Sequence, residues 1–243
     1  MKIENVSVFG FSHAIRAMRN PKDSWEKSDS FEFPDKWGRN KHDLVLGAND
    51  IKLSRSLTKA GTEHCKHLRM VQVWFDLTLP RYVWQEFDTY RFVEKVSCST
   101  MHTLMKKPIT EDMFEGGMPD PSDKMILSEL NDLIKEYLAE DAMIKKYPRD
   151  SEDLAANVLR SVQRCRELKA EVKRKLPESF LQKRTVNTNY QCLLNMYHQR
   201  KNHELEQWRN ICAFITTLPC FSGLTGVAMT KCDVAVSYSE MEI

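Results

Sequence analysis

The chain has 243 residues, 42% of them hydrophobic and 29% charged, and a formal net charge of +2. That length holds one large domain or two small ones, the composition excludes a disordered or fibrous chain, and the balanced charge argues against nucleic acid while leaving a small anionic ligand open. No apolar run approaches the roughly 20 residues of a membrane span, and the seven cysteines, Cys65, Cys98, Cys165, Cys192, Cys212, Cys220 and Cys232, form no CxxC pair, which reads as reduced thiols in a cytoplasmic protein without a membrane.

Val6 to Phe11 is a short β-prone run, Ala14 to Arg19 suits the start of a helix, and Pro21 to Lys41, rich in charges, aromatics and turn residues, reads as an ordered loop. From Asp50 the apolar positions Ile51, Leu53, Leu57 and Ala60 predict a helix ended by Gly61, since glycine takes the left-handed cap without strain. Val71, Val73, Phe75, Leu77 and Leu79 then alternate with Gln72, Trp74, Asp76 and Thr78, the period of a half-buried strand. Pro80 closes it, and Val83, Trp84, Phe87 and Tyr90 predict a short amphipathic helix before the polar loop Val96 to Thr100. Glu111 to Asp123, with Gly116, Gly117, Pro119 and Pro121, is a connection. Met125, Ile126, Leu130, Leu133, Ile134 and Leu138 give one helix face, and Leu154, Val158, Val162 and Leu168 a second in a charged helix running toward Pro177. From Tyr190 the spacing of Leu194, Tyr197, Leu205, Trp208, Cys212 and Ile215 predicts one long helix with a polar step at Lys201, stopped by Pro219. Val234 to Tyr238 suits a strand.

Chemistry-bearing residues concentrate in Arg81 to His102 and again from Leu176 to Asn189, and the two stretches are expected to converge on one pocket, within the fold or across a subunit boundary. The hydroxyls and N–H groups of Val96 to Thr100 beside Arg91 suit a phosphate or a planar polar ligand, or equally a helix cap next to a solvated arginine. His64 and His67 stand at i and i+3, but no third ligand at diagnostic spacing accompanies them, so no metal site is expected. Cys98 near Arg91 and Lys95 is open to nucleophile activation, though a structural thiol explains it as well. With no Gly-rich dinucleotide or Walker loop, a nucleotide cofactor would be held by Arg and Asn side chains.

These residues resemble the flavin-dependent thymidylate synthases. The family's Arg-His-Arg, seven residues, then Ser is similar to Thr89-Tyr90-Arg91 and Ser99 here, and its Glu-His before a strand is similar to Glu63-His64. Its later Arg, Leu-Pro, Asn, Asn, Leu-Arg and Ala-Gln-Trp positions correspond to Lys173, Leu176-Pro177, Asn189, Asn195, Gln199-Arg200 and Glu206-Gln207-Trp208, with one inserted residue between Asn202 and Leu205. The resemblance covers Leu53 to Met105 and Lys173 to Leu218.

The resemblance implies a single α/β (α+β) domain over residues 1–243, an antiparallel-rich sheet flanked by helices, assembled as a homotetramer. It implies methylation of dUMP to dTMP with FAD as cofactor and with NADPH and methylenetetrahydrofolate as co-substrates. Arg200 matches the substrate-activating arginine. FAD would lie against His64, Lys66, Thr89, Tyr90, Arg91, Ser97, Asn189, Gln191 and Asn195, and dUMP against Glu86, Ser99, Thr100, Met101, Lys173 and Arg200. The departures bear on the ligand: Thr89 and Tyr90 replace the first Arg and the His of the hallmark, Glu86 stands where Gln is usual, and Met101 and Gln191 stand where Arg is usual. Glu86 beside a dianionic phosphate would repel it by roughly 1 kcal/mol or more. Two alternatives therefore accompany the thymidylate reaction: a flavin-dependent transfer on another pyrimidine nucleotide, or a non-catalytic nucleotide-binding homologue that has lost FAD. Each residue also has a structural explanation. Asn189 suits an N-cap, Tyr90 packing, His64 and His67 satisfied histidines, and Arg200 a solvated helix face.

Overall fold

The computed structural model describes residues 1–33, 43–146 and 155–241. The chain divides into two compact units, one made of Met1–Leu79, Gln85–Val96 and Lys183–Ile243, the other of Pro80–Trp84 and Ser97–Gln182.

Strand β1 (Lys2–Phe9) begins four residues before the predicted run. Its buried positions, Ile3, Val6 and Val8, do not share one parity, and a bulge between Glu4 and Ser7 reconciles them, with Asn5 at φ 54. One extra residue returns Val6 to the face of Ile3. Gly10, at φ 95, turns the chain into α1 (Phe11–Arg19); a Cβ there would strike the carbonyl oxygen of Met70. Within the predicted loop, Asn20–Lys22 and Trp25–Lys27 are single 3-10 turns, and β2 (Phe31–Phe33) pairs antiparallel with β3 (Asp43–Val45). Residues 34–41 of that loop lie outside the described residues. Helix α2 (Ala48–Ala60) stops at Gly61 as expected, although Gly61 takes φ 122 and ψ 173 and not the left-handed cap.

β4 (Gln72–Pro80) carries the alternation forward: Val73, Phe75, Leu77 and Leu79 are all buried. Then come α3 (Arg81–Phe87), β5 (Glu94–Ser97), α4 (Thr100–Thr103), α5 (Pro121–Lys146), α6 (Ala155–Lys175) and β6 (Leu181–Asn189). The predicted long C-terminal helix is two helices, α7 (Tyr190–Arg200) and α8 (Glu206–Thr217), followed by α9 (Phe221–Thr225) and β7 (Val236–Met241). The break falls where Lys201 and Asn202 offer no apolar anchor; the His203 N–H bonds back to the Arg200 carbonyl at 3.0 Å, and Arg209 donates to the carbonyls of His203 and Glu204.

The five strands run in the order β5-β6-β4-β1-β7. β1 lies antiparallel to β4 and parallel to β7, so the sheet is mixed. In the first unit α8 covers β4, Phe214 meeting Phe75 edge to face at 5.4 Å. The start of α7 is pinned by Tyr190, fully buried between Phe11 and Phe221 at 5.8 and 5.1 Å. Each such ring contributes on the order of 1.5–3 kcal/mol by leaving water. The second unit has its own core, in which Leu104, Ile109, Phe114, Leu130, Ile134 and Val172 pack together. Asn131 clamps the backbone of Ile109 through both N–H and carbonyl, at 2.8 and 3.0 Å. Among the described residues no helix is long and apolar enough to cross a membrane.

Two buried polar groups tie α2 into the first unit. Asp50, fully buried, accepts from Arg19 Nε, Ser28 Oγ and Ser30 Oγ, each at 2.6 Å. Burial pushes its carboxyl up, but the bonds from Ser28, Ser30 and Arg19 outweigh burial and hold it below the ordinary value. His67 Nε2 lies 2.7 Å from Ser54 Oγ, whose own proton goes to the Leu224 carbonyl at 2.7 Å. Nε2 is therefore the donor, and Nδ1 is left buried without a partner.

Asp50→Ala should lower the unfolding free energy by about 3–5 kcal/mol in urea titrations, because it strands Arg19 as a buried unpaired charge. Asp50's contribution is complete above the ordinary aspartate value and is lost as pH falls through its depressed one. Burial lowers His67 from 6.5 to about 4, so the unfolded chain binds the proton first and stability falls as pH drops from 6.5 toward 4. The loss should total about 3 kcal/mol. In His67→Gln, the stability-against-pH curve should flatten across that window; an unchanged slope would assign the loss elsewhere.

Candidate functional site

Helix α7 gathers most of the residues that the sequence marks for chemistry in the first unit. It starts where Asn189, in extended backbone, accepts the Cys192 N–H at 3.0 Å and caps the helix. The Gln191 side chain is buried and accepts the Cys65 thiol at 2.6 Å, which holds the turn carrying His64 and Lys66 to the helix start. Cys192 Sγ contacts the Arg91 carbonyl at 3.8 Å, and Thr188 Oγ1 donates to the Phe92 carbonyl at 3.3 Å, so the loop after α3 lies against the same end. Phe92 takes φ 58 with its ring 80% exposed, a strained backbone for an aromatic residue.

At the other end of α7, Arg200 meets the hallmark stretch. Its Nε donates to Tyr90 Oη at 3.0 Å and its Nη1 to Glu86 Oε2 at 2.7 Å. Trp208 Nε1 donates to the same Glu86 oxygen at 2.8 Å. The guanidinium lies 4.7 Å from the centre of the Trp208 ring and 5.9 Å from that of Tyr90, while Phe87 stacks on Trp208 at 5.6 Å with a 7° interplanar angle. One face of the arginine is thus covered by aromatic carbon, an attractive arrangement for a cation. His203, which sequence reasoning passed over, places Nε2 2.8 Å from Arg200 Nη1 and 3.6 Å from Glu86 Oε2, while its Nδ1 accepts the Leu205 N–H at 3.2 Å. A neutral ring accepts at one nitrogen only, so its two nitrogens compete for these donors. The available signal was a histidine three residues past Arg200, beyond the end of α7.

Other marked residues stand differently. Thr89 Oγ1 donates to the Glu86 carbonyl at 2.7 Å, a local turn bond. Asn195 is exposed and accepts from Gln191 at 3.4 Å. His64, Lys66 and Arg91 are exposed, and their side chains hold no ion pair or hydrogen bond among the described residues. His64 and His67 do not share a face: His67 is buried and bonded to Ser54. Among the described residues no group of His, Cys, Asp or Glu is placed to hold a metal ion. Cys98 is exposed, with Thr103 Oγ1 3.7 Å from its thiol.

Ser97, Ser99, Thr100, Met101 and Lys173 belong to the second unit. Ser99 is the N-cap residue of α4, its carbonyl accepting Thr103 Oγ1 at 2.7 Å. Ser97 and Lys173 are exposed, and the side chain of Met101 lies outside the described residues. A cavity of about 340 Å³ in the first unit, walled by Ile15, Arg16, Trp25 and Phe31 among others, shares no residue with the Arg200 cluster.

No family model matches the chain, and no curated protein matches its sequence. Its fold is similar to two crystal structures of the flavin-dependent thymidylate synthase ThyX from Helicobacter pylori, each complexed with FAD and dUMP. In both comparisons the TM-score is 0.62 at 16% identity, over 92% of this chain and 96% of the other. The relation shown is one of fold: a mixed α/β chain with a five-stranded sheet flanked by helices, like that of ThyX.

Proposed function

We propose that this chain acts on a deoxyuridine nucleotide with a flavin, methylating dUMP to dTMP with methylenetetrahydrofolate and NADPH. One observation carries the reading: Tyr90 and Glu86, from the hallmark stretch, meet Arg200, from a helix more than a hundred positions later, at one guanidinium. The fold likeness to a protein complexed with FAD and dUMP supports it.

The residues fit FAD in part. Lys66 and Arg91 are exposed cations without carboxylate partners among the described residues, which suits a pyrophosphate, and His64 and Asn195 present exposed polar side chains. Gln191 and Asn189 already bond Cys65 and Cys192. When bound, FAD would supply the redox chemistry. Arg200, fixed through Nε and Nη1 and flanked by Trp208, is preorganised to stabilise negative charge developing on a pyrimidine ring, an effect of about 3–4 kcal/mol. Ser99, Thr100 and Lys173 are assigned to the nucleotide on the same reading. So are a single functional domain over residues 1–243, a homotetramer and a cytoplasmic setting.

A second reading, transfer on a pyrimidine ligand other than dUMP, is favoured by Glu86 itself, a carboxylate in contact with the arginine meant for the substrate.

Purified protein mixed with FAD should show a flavin band between about 350 and 500 nm that shifts when dUMP is added. Arg200→Ala should lose about 10²–10³-fold in turnover with the far-ultraviolet spectrum unchanged. Rescue of thymidine-requiring cells separates the two readings; absence of any flavin binding would sink both.

A further inference from the structure

The second unit holds a cavity of about 320 Å³, at the small end of the range for ligand sites. Helix α5 contributes Tyr137, Asp141 and Lys145 to its wall, residues four apart and so on one helix face. Lys169 enters from α6, and Met105 and Lys106 from the 3-10 turn that follows α4. The packing of α6 on α5 fixes this arrangement. Cys165, buried one turn before Lys169, sets its thiol 4.0 Å from the Tyr137 carbonyl, and Lys169 Nζ lies 5.0 Å from the centre of the Tyr137 ring.

The wall is unbalanced in charge. Among the described residues it carries three ammonium groups against one carboxylate. Asp141 is answered by Lys145 at 2.6 Å. Lys106 and Lys169 hold no ion pair and no hydrogen bond among the described residues, and neither does the Tyr137 hydroxyl. Lys169 is half-buried. Taking an ammonium partly out of water without a partner is unfavourable, and a second one in the wall of the same cavity adds repulsion.

We infer that this cavity binds a small organic phosphate, its dianion between Lys106 and Lys169 and its organic part against Tyr137 and Met105. Two unanswered positive charges match a phosphate monoester, which carries close to two negative charges near neutral pH. Lysine meets such a group as a point charge and turns three rotatable donors to its oxygens. The Tyr137 hydroxyl supplies a further donor. Met105, 4% exposed, and the Tyr137 ring offer an apolar surface that inorganic phosphate leaves unused. None of these residues is assigned to the flavin or to the nucleotide, so the site stands whether or not the chain methylates dUMP.

The test is calorimetric titration of the full chain with phenyl phosphate, inorganic phosphate and phthalate. Phenyl phosphate is expected to bind with a Kd below about 1 mM, at least about threefold more tightly than either of the others. Lys106→Met and Lys169→Met, which keep the apolar stems, should each weaken it at least about fivefold, with the far-ultraviolet spectrum unchanged. Lys106 is exposed, so its replacement carries the test even where Lys169→Met fails to fold. Lys173→Gln should bind phenyl phosphate as the native chain does. Loss of binding in Lys173→Gln, with native affinity in the two methionine variants, would move the phosphate to the residue assigned to the nucleotide and overturn the inference. Absence of binding up to about 10 mM would overturn it as well. Inorganic phosphate binding as tightly as phenyl phosphate would overturn the assignment to an ester, and phthalate doing so would overturn the assignment to phosphate.

Discussion

One carboxylate oxygen, Glu86 Oε2, accepts from Arg200 and from Trp208, at 2.7 and 2.8 Å, and the cluster at the C-terminal end of α7 depends on that double bond. Trp208 is fully buried, so its indole N–H needs an acceptor; leaving it without one would cost about 1–3 kcal/mol. The aromatic body that satisfies the core thereby also fixes the polar group beside it. Arg200 then sits between a carboxylate and two rings, at the end of a helix where the backbone carbonyls favour a cation. Packing and electrostatics reinforce one another here, since moving any member exposes a demand in another.

That end of α7 is steady because the other end is anchored. Tyr190 is packed between Phe11 and Phe221, its N–H bonds to the Val71 carbonyl at 3.1 Å, and Asn189 caps the first turn. A helix of 11 residues carries position rigidly over roughly 16 Å. The anchor is built from the first unit's sheet and its covering helices, so the core fixes where Arg200 is placed. The thiols of Cys65 and Cys192 take part in the same anchoring, bonded to Gln191 and to the Arg91 carbonyl. Burial raises the thiol value of both, which suits packing better than nucleophilic chemistry.

What could be read from the sequence followed from local pattern. β4 announced itself because its alternation is strict, and α2 because Gly61 ends it. β6 did not, because Leu181–Asn189 holds only Leu181 and Val186 as apolar residues, so its alternating burial, with Val186 and Thr188 inside, is not matched by alternating hydrophobicity. The early start of β1 was hidden by the bulge at Asn5, which breaks the period. The single long helix from Tyr190 failed because apolar spacing resumes in phase after Lys201, and period alone does not register a turn. In the site, the capping role of Asn189 was legible in residue type. The contact between Glu86 and Arg200 was not, because 114 positions separate them and nothing local to either names the other. The motif resemblance placed both as candidates, but it did not anticipate that they neutralise each other.

That neutralisation limits what the cluster can bind. A guanidinium free of partners attracts any anion, whereas one already 2.7 Å from a carboxylate has part of its charge offset. A dianionic phosphate brought beside Glu86 would meet repulsion of roughly 1 kcal/mol or more and little compensating attraction. An uncharged polar group meets no such repulsion. Within the first unit, Lys66 and Arg91 remain exposed and without carboxylate partners among the described residues.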